Sequence, residues 1–281
     1  MPRVSIIIPC FNAGEFLDES VNSALAQTYK DIEIIIADDC SVTEHTKEKL
    51  KSYNNPLITV IHLPHRGLAS TRNSGIKRAK GDLILPLDAD DRIDPTYVEK
   101  AVAVMDSDSK IGIVYARISL FGEQNEEPEV EEYSLESLLL NNMIVCCSMF
   151  RKKDWAKVGG YNTNMTKGYE DWDLWISLAG LGRKVYRLPE ALFFYRIRNG
   201  SMLASMTPTD IIDMRLRIMK NHKELYARHQ DAWLKALLRA WLMVGEYSRV
   251  RQECIEMRQS FSWKVTEPLR MLRRILCRSR V

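Results

Sequence analysis

Four short runs of β-branched and apolar residues dominate the first third of the chain: VSIIIP (4–9), IEIIIADD (32–39), LITVIHL (57–63) and DLILPLD (82–88). Runs of this length with little polar alternation indicate strands covered on both faces. Between them lie amphipathic segments of helical length at 15–27, 43–53 and 68–79. Strand and helix alternating in this way build βαβ units and a mostly parallel sheet. The chain is therefore read as α/β, a Rossmann-like sheet flanked by helices. Ligands of such sheets bind beyond the carboxyl ends of the strands. By that rule Asn12, Asp38, Asp39 and Asp88 to Asp91, each just past a strand, face one crevice.

The pattern continues with a helix from Asp94 and Pro95, a strand at 113–120 and an acidic exposed loop at 122–133. Short helices at 135–140, 154–158 and 172–181 follow, then strands at 184–188 and 192–197. Beyond position 208 only helical signal remains. Trp233, Leu234, Leu237, Leu238, Trp241 and Leu242 recur at helical spacing, which predicts a packed face. Residues 264–281 set leucines and Ile275 against six basic residues, a design that suits an anionic membrane surface or a packed helix with a solvated face. The expected organisation is an α/β domain over 1–205 and a helical extension over 206–281.

Composition narrows the function by exclusion. The 40 basic and 37 acidic residues among 281 nearly cancel, so no basic footprint for nucleic acid is present. Six cysteines without C-x-x-C spacing suit reduced thiols in the cytoplasm better than a disulfide scaffold. The most apolar stretch, 138–150, is cut by Asn141 and Asn142 and is too short to span a bilayer. His62 and His65 have no accompanying metal-site motif, and there is no G-x-G-x-x-G or Walker loop.

Chemistry concentrates in LDADDRIDP, which holds Asp88, Asp90 and Asp91 at a strand end. Mg²⁺ and Mn²⁺ prefer oxygen ligands and commonly join one or two carboxylates to a substrate's phosphate oxygens. Capping of the next helix accounts for Asp94, and three more acids exceed what capping needs. Asp38 and Asp39 can accept hydrogen bonds from a ribose or base, or close a turn. Glu170 and Asp171, in YEDWDLW, either cap a helix or place a general base.

Together VSIIIPCFNAGEFL, IIIADDCS, GLASTRNSGIKRAKGDLILPLDADD and YEDWDLWISLAGLG resemble, in order and spacing, the motifs of glycosyltransferase family 2. The resemblance implies the A-type glycosyltransferase fold, inversion at the anomeric carbon, and Mn²⁺ or Mg²⁺ as cofactor. It implies a nucleoside-diphosphate sugar as donor, a UDP-sugar foremost, and a glycan or lipid-linked saccharide as acceptor. Donor contacts fall to Pro9, Phe11, Asn12, Asp38 and Asp39 around the base, Asp88 near the ribose, Arg72 near the phosphates and Asp90 on the metal. Asp171 becomes the base, with Glu170 its neighbour. Arg196, Arg198 and Ser201 resemble a downstream Y-R-x-x-x-x-S pattern that closes over the diphosphate. The Q-x-x-R-W motif and membrane helices of polymer synthases are not seen, which favours single addition. The expected place of work is the cytoplasm, peripheral on the inner face of the membrane.

Two other readings compete. A sugar nucleotidyltransferase requires a glycine-rich loop with a basic residue after the first strand, which PCFNAGEF does not supply. A non-catalytic nucleotide-sugar-binding protein is expected to have lost one of Asp39, Asp88, Asp90 and Asp171.

Overall fold

The computed structural model describes residues 2–129, 132–198 and 200–259 of the chain. The basic segment 264–281 lies outside the described residues. The first half alternates β1 (Val4–Cys10), α1 (Leu17–Leu25), β2 (Ile32–Asp38), α2 (Glu44–Ser52), β3 (Ile58–His62), α3 (Leu68–Arg78) and β4 (Leu83–Pro86). Every residue of β1 is buried, because parallel β2 and β4 flank it and helices cover it. Ile6 and Ile8 join the core with Leu17 and Val21 of α1, while Ile7 meets α3 from the other face.

That second contact depends on Gly75. A Cβ there would lie 2.6 Å from Ile7 Cγ2, so only glycine lets α3 approach the central strand this closely. Gly75→Ala is expected to lower stability by about 1–3 kcal/mol through overpacking, read as a fall in the urea midpoint at unchanged m-value.

After β4 come β5 (Arg92–Ile93), α4 (Tyr97–Ser107), β6 (Ile111–Gly122), α5 (Leu135–Leu138), β7 (Met149–Arg151), α6 (Lys152–Val158), α7 (Glu170–Ala179) and β8 (Lys184–Ile197). The sheet runs β3-β2-β1-β4-β7-β6-β8-β5. Strands β3, β2, β1 and β4 are parallel; β7 is antiparallel to both β4 and β6, and β5 is antiparallel to β8. Strand order reverses on either side of β1, which opens the crevice at the carboxyl ends of β1, β2 and β4.

Three local expectations change. The two strands expected at 184–188 and 192–197 are one strand, β8, which stays paired to β6 across Pro189 through register shifts near Ala116 and Arg117. Strand β7 has only three residues, too few to show a period. Asp94 closes a turn, its Oδ1 accepting from Thr96 N at 2.9 Å, and α4 begins at Tyr97 rather than at Pro95.

The chain continues with α8 (Pro208–Asn221), α9 (Lys223–Arg228) and α10 (Gln230–Gln259). The chain divides into two compact units between His229 and Gln230. Helices α8 and α9 belong to the first unit because they bury Met214, Ile218, Leu225 and Tyr226. A Thr207 and Asp210 capping box starts α8. In the second unit, α10 exposes Leu237, Leu238, Trp241 and Leu242, the stripe expected to pack. Among the described residues no helix is long and apolar enough to cross a membrane.

Candidate active site

The crevice at the switch point is a cavity of about 920 Å³. Pro9, Phe11, Asp39, Arg72, Asp88, Asp90, Glu170 and Asp171 all line it. Asn12 and Asp38 do not, and the reason is local. Asn12 has φ 54° and turns its Oδ1 back to the amides of Val42 and Thr43, at 2.8 and 3.1 Å. Asp38 accepts from Ser41 N at 3.0 Å and pairs with His62 at 2.9 Å. Both therefore brace the wall that carries Phe11 and Asp39.

That wall offers an aromatic shelf. Phe11, about half exposed, stacks on His65 with ring centroids 4.6 Å apart and planes at 28°. Asp39 is buried beside them, and its two carboxylate oxygens accept the amides of Arg66 and Gly67 at 2.9 and 3.0 Å. These amides orient the carboxylate, and Oδ1 keeps a lone pair for a ligand. His65, read from sequence as incidental, becomes part of this surface because the turn into α3 carries it to Asp39, 2.9 Å away.

On the opposite side lie the acids after β4. Arg72, on α3 and 1% exposed, reaches Asp88 Oδ1 with one terminal nitrogen and Glu170 Oε1 with the other, both at 2.5 Å. Burial opposes the Arg72 charge, but the two carboxylates outweigh that and hold its pKa well above the ordinary arginine value. Asp90 Oδ2 accepts from Arg198 Nε at 2.7 Å. Asp91 is fully buried; Oδ1 accepts the amide of Arg196 at 2.8 Å, and Oδ2 has no hydrogen-bond partner. Burial first, then the charges of Asp88 and Asp90, push the Asp91 carboxyl well above the usual range. Thus Arg196 of β8 and Arg198 just beyond it meet the acidic turn.

A divalent cation fits this turn. Asp88, Asp91 and Cys146 each offer a ligand atom, all within 4.8 Å of one another, and Asp91 Oδ2 is an orphaned buried oxygen. Mg²⁺ and Mn²⁺ prefer oxygen to thiol ligands, so Asp88 and Asp91 are the fitting donors of the three. Asp90, the expected ligand, borders this group and is occupied on one oxygen by Arg198.

Asp171 stands at the start of α7, which the chain enters through Gly168 at φ 123° and Tyr169 at φ 62°. Its Oδ1 accepts from Trp172 N at 2.7 Å, and its Oδ2 accepts from Asn142 Nδ2 at 3.0 Å. Burial and the adjacent Glu170 charge raise its pKa to about 7, against the opposing pull of Arg72. A carboxylate with that pKa is poised to take a proton near neutrality. The three tryptophans near it, Trp155, Trp172 and Trp175, are buried packing residues. Sequence reasoning missed Asn142, noted only as an interruption of an apolar run, and Arg215 of α8, which lines the same cavity.

Residues 5–188 match the family described as Glycosyl transferase family 2. Among curated relatives, the chondroitin synthase of Pasteurella multocida (strain Pm70) is 31% identical over 194 residues, covering 65% of this chain and 19% of the relative. The putative teichuronic acid biosynthesis glycosyltransferase TuaG of Bacillus subtilis (strain 168) is 29% identical over 209 residues, covering 72% and 81%. The chain spans about a fifth of the length of the synthases it matches. Among solved structures, S. aureus TarS 1–349 in complex with UDP-GlcNAc superposes with a TM-score of 0.60 at 19% identity, over 84% of this chain and 79% of that one. This likeness concerns the fold, and the sequence match over most of the chain establishes the rest: the chain belongs to glycosyltransferase family 2.

Proposed function

We propose that the protein transfers a sugar from a nucleoside-diphosphate donor to a hydroxyl of a glycan or lipid-linked acceptor, with inversion. The observation that carries this reading is the Arg72 bridge, which ties the acidic turn after β4 to Glu170 and so sets Asp171 across one cleft from the donor wall. A base stacks on Phe11 and His65 and bonds Asp39; the TarS complexes with UDP and UDP-GlcNAc favour a UDP-sugar. In the reaction the acceptor oxygen attacks the anomeric carbon, Asp171 takes its proton, and the bond to the β-phosphate oxygen breaks. Charge then gathers on the departing diphosphate, where Arg198 and Arg196 stand. A cation held by Asp88, Asp90 or Asp91 would supply further neutralisation there. No protein nucleophile is needed. The nucleotidyltransferase reading requires a cation in the turn after β1, and FNAGEF has none.

The test is a donor-hydrolysis screen across nucleotide sugars with Mn²⁺ or Mg²⁺. Hydrolysis confined to one or two donors supports the reading, and none with any donor overturns it. Asp90→Ala is expected to abolish the metal-dependent part of nucleoside-diphosphate binding, weakening affinity roughly tenfold to a hundredfold in calorimetry. Metal-independent binding by the wild type would remove Asp90 from that role.

A further inference from the structure

The loop that follows α5 is gripped at three successive carbonyls. Trp172 Nε1 of α7 donates to Leu138 O at 2.7 Å, Tyr226 of α9 donates its hydroxyl to Leu139 O at 2.6 Å, and Arg215 of α8 donates to Leu140 O at 3.0 Å. Arg215 also reaches Asn141 Oδ1 at 3.3 Å and lies over the Trp172 ring, 5.2 Å from its centroid. The next residue, Asn142, bonds Asp171 Oδ2. A carboxylate only accepts, so the amide nitrogen of Asn142 must face it.

We propose that Asn142 is a positioning residue for Asp171, and that α8 and α9 hold it in place by clamping the Leu139 and Leu140 carbonyls and the Asn141 side chain. The inference rests on the reading of Asp171 as the base. An exposed asparagine on a free loop would gain little from one hydrogen bond, because ordering its side chain offsets the contact. Anchoring the three preceding carbonyls removes most of that cost in advance. With Oδ1 fixed by Trp172 N and Oδ2 by Asn142, the plane of the carboxylate is set, and each oxygen keeps one lone pair for the acceptor's proton. The helices read from sequence as an appendage thereby become part of the catalytic geometry.

The charged and titratable groups around Asp171 are Glu170 on its own helix, Arg72 from α3, Tyr161 from the turn before α7 and Cys146 from the loop after α5. Arg215 on α8 is occupied with carbonyls of the clamped loop. Among the described residues, Asn142 is the side chain that hydrogen-bonds the Asp171 carboxylate. Its N–H favours the ionised form, so its loss raises the pKa.

The measurement is a ¹³C NMR titration of the Asp171 carboxyl carbon in protein labelled at aspartate, assigned by the signal lost in Asp171→Asn. Asn142→Ala is expected to move the midpoint upward by about 0.5–1 pH unit. Asn142→Asp should move it further, by an amount that shrinks with added salt. Arg215→Met should shift it in the same direction, and the double variant Arg215→Met/Asn142→Ala no further than Asn142→Ala alone, because Arg215 acts through Asn142. A cooperative urea transition with the wild-type m-value confirms that each variant folds. A midpoint in folded Asn142→Ala equal to wild type overturns the proposal, as does an additive double variant. The titration needs no turnover, so it is separable from the proposed function. If the midpoint moves and no donor is hydrolysed, the positioning stands and the transferase reading falls.

Discussion

Asp171→Asn is expected to keep donor affinity within about twofold while sugar transfer falls by about 10²–10⁴, the range typical of losing a general base. The amide is isosteric and can still accept from Asn142 or Trp172, but it cannot take the acceptor's proton. The pH profile separates this from a structural effect. Asp171 works only when ionised, and burial with the Glu170 charge raises its pKa to about 7. Wild-type turnover should therefore rise through neutrality and level off above it, and the variant should lack that limb. Linkage predicts a converse effect on stability. A carboxylate whose folded pKa lies above its unfolded value binds more protons when folded, so its contribution to stability is present at low pH and is lost as pH rises toward 7. The Asn variant does not carry this penalty, and its Tm should exceed the wild-type Tm at pH 8 but not at pH 4. A retained acid limb in the variant would assign the base elsewhere.

The sequence showed the first sheet half closely because the signal there is local. β1, β2 and α3 lie where the apolar runs and helical spacing put them, within about two residues at each end. What was not legible depends on distant partners. Asn12 and Asp38 sit in motifs that identify a family, yet their side chains close turns against Val42 and His62. A positive φ at Asn12 decides its direction, and sequence alone does not give φ. Arg72 was placed on the donor side, but its bridge to a glutamate 98 residues away emerges only when α3 and α7 meet over the sheet. Asn142 and Arg215 carried no signal at all, since neither belongs to a motif and their partners lie 29 and 75 residues distant.

Arg72→Met is expected to be the most damaging single change in the cleft. Its guanidinium is 1% exposed and serves two acids at once, Asp88 and Glu170. Removing one partner of a buried ion pair leaves uncompensated charge and costs about 3–5 kcal/mol; the partial exposure of Asp88, 26% at its side chain, places the result toward the lower figure. Urea denaturation of variant and wild type at pH 8 measures the loss. Arg72→Lys should recover only part of the stability, because one ammonium cannot place separate donors on two carboxylates as the planar fork does. Catalysis should suffer independently of unfolding. Arg72 pulls the Asp171 pKa downward, so in the variant the acid limb moves to higher pH. Adding Glu170→Gln to Arg72→Met removes one of the two stranded partners and should return part of the lost stability. No recovery would mean that packing of the long Arg72 side chain, rather than its charge, holds the two halves of the cleft together.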